Sequence, residues 1–504
     1  VSRPGPATVL PWEAVLADLA QVAAALTRAA VYTPEARAAA TLEVEQLRTQ
    51  ADSLSGAQFL AGLARITAAA HDGHTNLDFG QLGQALPQLP MRFGWFADGL
   101  YVTAVSAAHA DWLGSQVVRI EDCATEMWGP LLSGVIGGTA QRVRHLSPPV
   151  LITPAFLQAL GWAADDRQLR LLLRTPDGRL VPVRIAAEDE PPSVSLTPQS
   201  GLLDAPGPGA SVHVQALPGH TLYIGLRQMA SGTDGPLPQV LEAALSRIRT
   251  VRPGRVIVDL RGNGGGNYIL GWPFTQQLRE AAGTARIYAL TDEGTFSAAI
   301  VTLAWLRHDA GARLLGSSPG DGGQFFAEPF SVELTSITGR LFLATQSHDW
   351  SAGRHDFTTG FWLNLLYSVP AGVLRPDSET QSTFTAFMQG RDAALHAALA
   401  DDLPLPYDQP GAPAGGPSLA PRQVAFGGLL LTALGTRHGR ADWQEMGRLI
   451  ERLSGVPDHD LGALRLQQAA LLSRSDDELV GALRACRAAL APLVIAYSLT
   501  PPAP

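Results

Sequence analysis

Apolar residues recur at helical spacing from Trp12 to about Ala70, in runs such as AVLADLAQVAAALTRAA and SGAQFLAGLARITAAA, and this period predicts a small helical bundle. Between Pro90 and Ala187 the period shortens to two. The runs LYVTAV, SQVVRI, QLRLLLR and LVPVRIA alternate apolar and polar positions between turns at ADG and PDG, which predicts a β-rich module. The stretch EDEPPSVSLTPQSGLLDAPGPGAS carries neither period and reads as a linker or flap. From HTLYIGLRQM onward strands and helices alternate: PLPQVLEAALSRIRT, RVIVDL, ILGWPFTQQLREAAG, ARIYALTD, FSAAIVTLAWLRHD and ARLLGSS. That is the pattern of parallel βαβ units whose helices cover a sheet, so the expected class is α/β. The organisation expected is a helical bundle over 1–85, a β-rich insert over 86–190, a linker over 191–215, an α/β core over 216–402, a Pro-rich linker over 403–421 and a helical region over 422–504.

Composition narrows the partners. Hydrophobic residues at 46% and charged ones at 16% describe a globular chain, and its longest apolar runs, such as FGGLLLTAL, fall short of the ~20 residues a spanning helix needs. No membrane span is expected. A net charge of -9 without a basic block argues against nucleic acid as a partner, since phosphate binding needs clustered cations. The chain begins VSRPGPATVLPWEAV, without Met or an apolar signal core, which fits a processed mature chain as well as a trimmed one; an extracytoplasmic location, periplasmic or secreted, is the expectation. Cys123 and Cys486 fall in different expected domains and read as free thiols.

Two segments carry candidate chemistry. In VIVDLRGNGGGNYI a strand breaks into a loop with four glycines in five residues, which bares backbone N–H groups to something negative: a bound phosphate or the transient oxyanion of acyl transfer. The dinucleotide fingerprint fits poorly, because Asn267 stands where its third glycine belongs, although Asp292 closes the following strand. The Walker form fails outright. All 37 basic residues are arginine, and that form needs a lysine. One βα unit further on, LTDEGTFSAAIV puts Ser297 after a turn and at the start of a helix; Ser297 reads either as a plain helix cap or as a nucleophile facing the glycine loop across the crevice at the strand ends.

Taken together, these pieces resemble the tail-specific, or carboxy-terminal processing, serine peptidase family. HTLYIGLRQM is similar to its entry strand, VIVDLRGNGGGN to its D-L-R-x-N-x-G-G signature, TFSAA to its nucleophile segment, LLGSSPGDGGQ to the loop after the next strand, and RPDSETQSTFTAFMQGRDAALHAAL to its closing segment. DWLGSQVVRIEDC resembles the turn of a PDZ module, and the likeness extends over some 400 residues, to about Asp402. The resemblance implies a crotonase- and ClpP-like peptidase core with an N-terminal helical bundle, a PDZ-like insert and a C-terminal helical appendage. It also implies Ser297 as nucleophile and an oxyanion hole built from the backbone N–H of Ala298 and of Gly265 or Gly266, with peptides or unfolded proteins as substrates and no cofactor or metal.

Many members pair the serine with a lysine in a G-K-G-x-x-Q loop. Here that loop reads GDGGQ, with Asp321 at the lysine position, so a Ser-Lys dyad is excluded, and arginine stays protonated and cannot replace it. The chain is similar instead to the His-Ser-Glu branch, that of the tricorn core protease and the chlamydial protease-like activity factor, which implies His74 of HDGHT as base and Glu379 of PDSET as its carboxylate. His71 is the near competitor of His74, and Asp377 the reserve for Glu379. An inactive member that binds peptides or apolar ligands is the alternative. His308 lies three helical turns from Ser297, roughly 16 Å along the axis, and is expected at the surface. His348 and His355, with Asp349 and Asp356, match no standard metal spacing. Asp259 and Arg261 are expected to pair beneath the loop, and Asp392 to cap or pair at the closing helix.

Overall fold

A computed structural model describes residues 8–401 and 421–499. The Pro-rich linker expected over 403–421 lies outside the described residues except for Pro421, which opens a helix. The central sheet has six strands: β1 (Val212–Leu217), β2 (Thr221–Leu226), β3 (Arg255–Asp259), β4 (Arg286–Thr291), β5 (Arg313–Gly316) and β6 (Ser378–Glu379). They stand in the spatial order β6-β5-β4-β3-β2-β1, antiparallel only between β1 and β2. Helices α1 (Leu237–Val251), α2 (Trp272–Ala282) and α3 (Ala298–His308) are the crossovers that parallel pairing requires. Strands β2 and β3 are buried almost throughout, as expected of strands covered on both faces. The parallel order has one consequence for chemistry: β3 and β4 are neighbours ending on the same edge, so the glycine loop after Asp259 and the turn before Ser297 meet there.

Strand β1 begins inside the stretch read as a linker. Only the ends of VHVQAL are buried, because an edge strand has one neighbour, and its apolar signal is correspondingly weak. The span read as β-rich does contain an antiparallel series of strands: Met91–Phe96, Gly99–Val105, Gln116–Ile120, Gln168–Arg174 and Leu180–Ala186. Its middle is helical, however, with helices at Trp128–Leu132, Ala140–Leu151 and Pro154–Ala159. Pro148 and Pro149 occupy the last turn of a helix whose N-terminus is capped by Thr139 through the Arg142 N–H.

At the N-terminus, helices Trp12–Arg28, Pro34–Thr49 and Gly56–Ala68 pack through Leu19, Val44 and Phe59, all buried. They share one apolar cluster with the β-rich module. The C-terminal helices add Leu430, Trp443, Leu483 and Leu490 to the cluster that contains Trp305 and Tyr367 of the core. Arg484 fixes that contact by donating to the carbonyls of Leu365 (3.0 Å) and Ser368 (3.2 Å). Among the described residues no single helix is long and apolar enough to cross a membrane. Cys123 and Cys486 are both free.

Candidate active site

Ser297 sits between β4 and α3 with φ 55° and ψ -123°, a conformation that L-residues rarely adopt and that costs of the order of 1–3 kcal/mol. The surrounding turn holds it there. Asp292 Oδ1 accepts the N–H groups of Gly262 (2.8 Å), Gly294 (2.9 Å) and Thr295 (3.0 Å), Thr295 Oγ1 donates to the Leu260 carbonyl (2.9 Å), and Phe296 N–H donates to the Asn263 carbonyl (3.0 Å). These bonds tie the two βα turns into one unit. Because an ordinary capping serine accepts a backbone N–H of its own helix on its side-chain oxygen, the absence of any such side-chain bond at Ser297 removes the simple capping role.

The glycine loop is pressed against this turn. Gly265 has φ 107°, and a Cβ placed on it would lie 2.6 Å from Ser297 Cβ and 3.1 Å from the Ala298 nitrogen. Asn263 shapes the loop, accepting Gly265 N–H at 3.0 Å and donating to the Leu226 carbonyl at 2.9 Å. The next residues are anchored by Met229, which donates to the Gly265 carbonyl (2.9 Å) and accepts Asn267 N–H (2.7 Å). Of the three expected oxyanion donors, Gly265 N–H is thus engaged, whereas the N–H groups of Gly266 and Ala298 have no partner among the described residues. Gly265→Ala is therefore expected to lower kcat by about 10²-fold or more, by displacing the nucleophile, while the chain still folds. At Gly266, φ 130°, a Cβ would instead meet the Met229 carbonyl; both glycines hold a positive φ that strains alanine, so both variants are expected to lower the thermal midpoint, and only Gly265→Ala to press on Ser297 itself. Casein hydrolysis and thermal melts on the two variants separate these effects.

His74 is delivered by a different part of the chain. Asp72 Oδ1 accepts the N–H groups of His74 (2.9 Å) and Thr75 (3.0 Å), and its Oδ2 accepts Phe326 N–H (3.1 Å). Asn76–Leu77 then pairs antiparallel with Arg340–Leu343, a strand of the hairpins that follow β5. The imidazole lies against the rings of Phe296 and Phe325, with centroids at 4.2 and 5.3 Å. It is 6% exposed, and neither ring nitrogen has a hydrogen-bond partner among the described residues. Burial, then the charges of Arg142 and His348, hold its pKa well below the ordinary 6.5.

Two carboxyls lie close by: Asp72, Asp321 and His74 each offer an oxygen or nitrogen within 4.8 Å of the others. Burial pushes Asp72 up to about 6, and burial with the charge of Asp72 pushes Asp321 up to about 7. Arg142 completes the group, its guanidinium 3.6 Å from the Phe296 ring centroid. Arg142 carries no signal in the sequence, because it belongs to a helix in the span read as β-rich.

The expected triad is not closed in this geometry. Glu379 lies on β6, paired to Gly316 of β5, where its exposed carboxylate accepts from Ser318 Oγ at 3.4 Å and makes no contact with His74. His71 is exposed, with φ 52°. His308 is bonded to Asp309 at 2.7 Å, and Asp377 to Arg307 at 3.0 Å. His348 accepts from Trp350 Nε1 (3.4 Å) and His355 contacts Arg484 (3.1 Å). Arg261 pairs with Asp259 (2.6 Å) and also with Asp392 (2.7 Å), which caps the closing helix. A cavity of about 640 Å³ is lined by Asp72, Asp321, Phe325, His348, Arg354 and Trp443 among others; neither His74 nor Ser297 lines it.

No family model matches the chain, and no curated protein sequence matches it. Among solved structures, mature CPAF matches over 78% of this chain and 99% of its own, with a TM-score of 0.50 at 13% identity. The chain has the fold of mature CPAF. The photosystem II D1 C-terminal processing protease (76% of this chain, 98% of its own, TM-score 0.34, 13% identity) and the tricorn protease (77% of this chain, 36% of its own, TM-score 0.31, 12% identity) are also similar.

Proposed function

We propose that the chain is a serine endopeptidase that hydrolyses peptides or unfolded proteins through an acyl-enzyme, without a cofactor. The observation that carries this reading is the strained Ser297, held at a helix N-terminus with the Gly265 backbone against it and the Ala298 N–H unpartnered among the described residues. Ser297 Oγ attacks the scissile carbonyl carbon while His74 takes its proton. The carbonyl oxygen, now negative, is met by the N–H groups of Ala298 and Gly266, aided by the positive end of α3. The proton then passes from His74 to the leaving amine as the C–N bond breaks, and water attacks the ester by the same route in reverse order. In this assignment His74 and Ser297 meet once substrate is bound, since such hydrogen bonds are often long in the free enzyme. Glu379 orients the imidazole only after turning from Ser318, so Glu379→Gln costs less than His74→Ala.

One observation favours a second reading. The buried, unpartnered imidazole fits a non-catalytic member of the same fold that binds peptides or apolar ligands. A fluorophosphonate probe separates the two: modification of Ser297 together with casein hydrolysis supports the peptidase, and binding of peptide without modification supports the binder.

A further inference from the structure

Asp72, His74 and Asp321 form a group whose interest is independent of which reading of Ser297 holds. All three are buried, and each places a donor atom within 4.8 Å of the others. His74 is 6% exposed with both ring nitrogens unpartnered, which is costly for an imidazole sealed from water unless a donor or a cation meets it there. The charge balance points the same way. Ionised, the two carboxylates face one cation, Arg142, leaving one negative charge in excess.

We propose that this group is an inhibitory divalent-metal site, suited to zinc, in which the ion takes one nitrogen of His74 and one oxygen each of Asp72 and Asp321. One imidazole and two carboxylates are ligand types zinc accepts, and three protein ligands leave its fourth tetrahedral position for water. Calcium, which takes six to eight oxygens, and magnesium, which keeps an octahedral oxygen shell, suit it less. Zinc holds such donors at about 2.0–2.2 Å, so binding draws a group whose atoms lie within 4.8 Å of one another into place by a modest movement. The Asp321 loop can supply it. Asp72 is fixed by three backbone N–H groups, whereas among the described residues the only hydrogen bond to the Asp321 carboxylate comes from the N–H of its neighbour Gly322 (2.8 Å). No covalent bond changes; the ion occupies the lone pair that the histidine uses as base, and binding releases whatever protons the three groups carry.

The inhibitory part rests on the peptidase reading, and the binding part does not. Full-length protein is freed of metal with chelator, dialysed and titrated with zinc chloride by calorimetry, while the rate of fluorophosphonate labelling at Ser297 is followed in parallel. The expected result is one zinc per chain, a rise in thermal midpoint with zinc, and labelling that slows as the site fills. Asp321→Asn should weaken zinc binding by about tenfold or more, while His71→Ala leaves it unchanged. Absence of stoichiometric binding, or binding that Asp321→Asn leaves intact, overturns the site; a melt of each variant without zinc shows that it is folded. If zinc binds as expected but Ser297 is never labelled even without zinc, the site stands and the peptidase reading fails.

Discussion

Replacing Ser297 by alanine is expected to reduce casein hydrolysis by about 10⁴-fold or more while leaving the thermal midpoint close to that of the parent. The hydroxyl makes no hydrogen bond within the described residues, so little packing or pairing is lost with it. Ser297→Gly makes a sharper comparison. At φ 55° and ψ -123° glycine is at ease where serine is strained, and relief of part of the ~1–3 kcal/mol of strain outweighs the ~0.5–1 kcal/mol of extra chain entropy that glycine loses on folding. The glycine variant should therefore be inactive and more stable than the parent by about 1 kcal/mol. Inactivity with higher stability is the signature of a residue kept in an unfavourable conformation for its chemistry. If Ser297→Gly were destabilising, or either variant kept normal turnover, the turn would be an ordinary structural feature and the nucleophile would lie elsewhere.

The parts of this site that could be read in the sequence are those formed by short contiguous segments. The glycine loop and the TFSAA segment each follow a strong apolar strand, and neighbouring parallel strands must end on one edge, so their meeting follows from pattern alone. Histidine placement is another matter. His74 reaches the core because Asn76–Leu77 pairs with Arg340–Leu343, a contact across more than 260 positions that no local period reveals. Arg142 arrives on a helix whose two prolines disguise it. Glu379 is legible from its place in a motif, but a motif fixes the strand and not the rotamer, and the carboxylate here turns to Ser318. In the sequence Asp321 stands out only as a missing lysine; its closeness to His74 and Asp72 depends on how the loop after β5 folds back.

His74→Ala is expected to cost about 10⁴-fold in kcat/KM, and the pH profile of the parent identifies which group is responsible. Only the neutral imidazole can accept the Ser297 proton. Because burial, with Arg142 and His348, holds the His74 pKa well below 6.5, kcat/KM measured with chelator present should stay level as the pH falls through 6.5 and decline only below it. Asp72 and Asp321 give the contrasting outcome. Raised to about 6 and about 7, they would put an acid limb between those values if an ionised carboxylate were required. Such a limb, lost in Asp321→Asn, would move the essential titration from the imidazole to the carboxyl pair. A limb well below 6.5 that Asp321→Asn leaves in place, together with the loss in His74→Ala, assigns the proton to His74. The two outcomes occupy different pH ranges because burial acts in opposite directions on acids and bases, lowering the histidine while raising the aspartates that surround it.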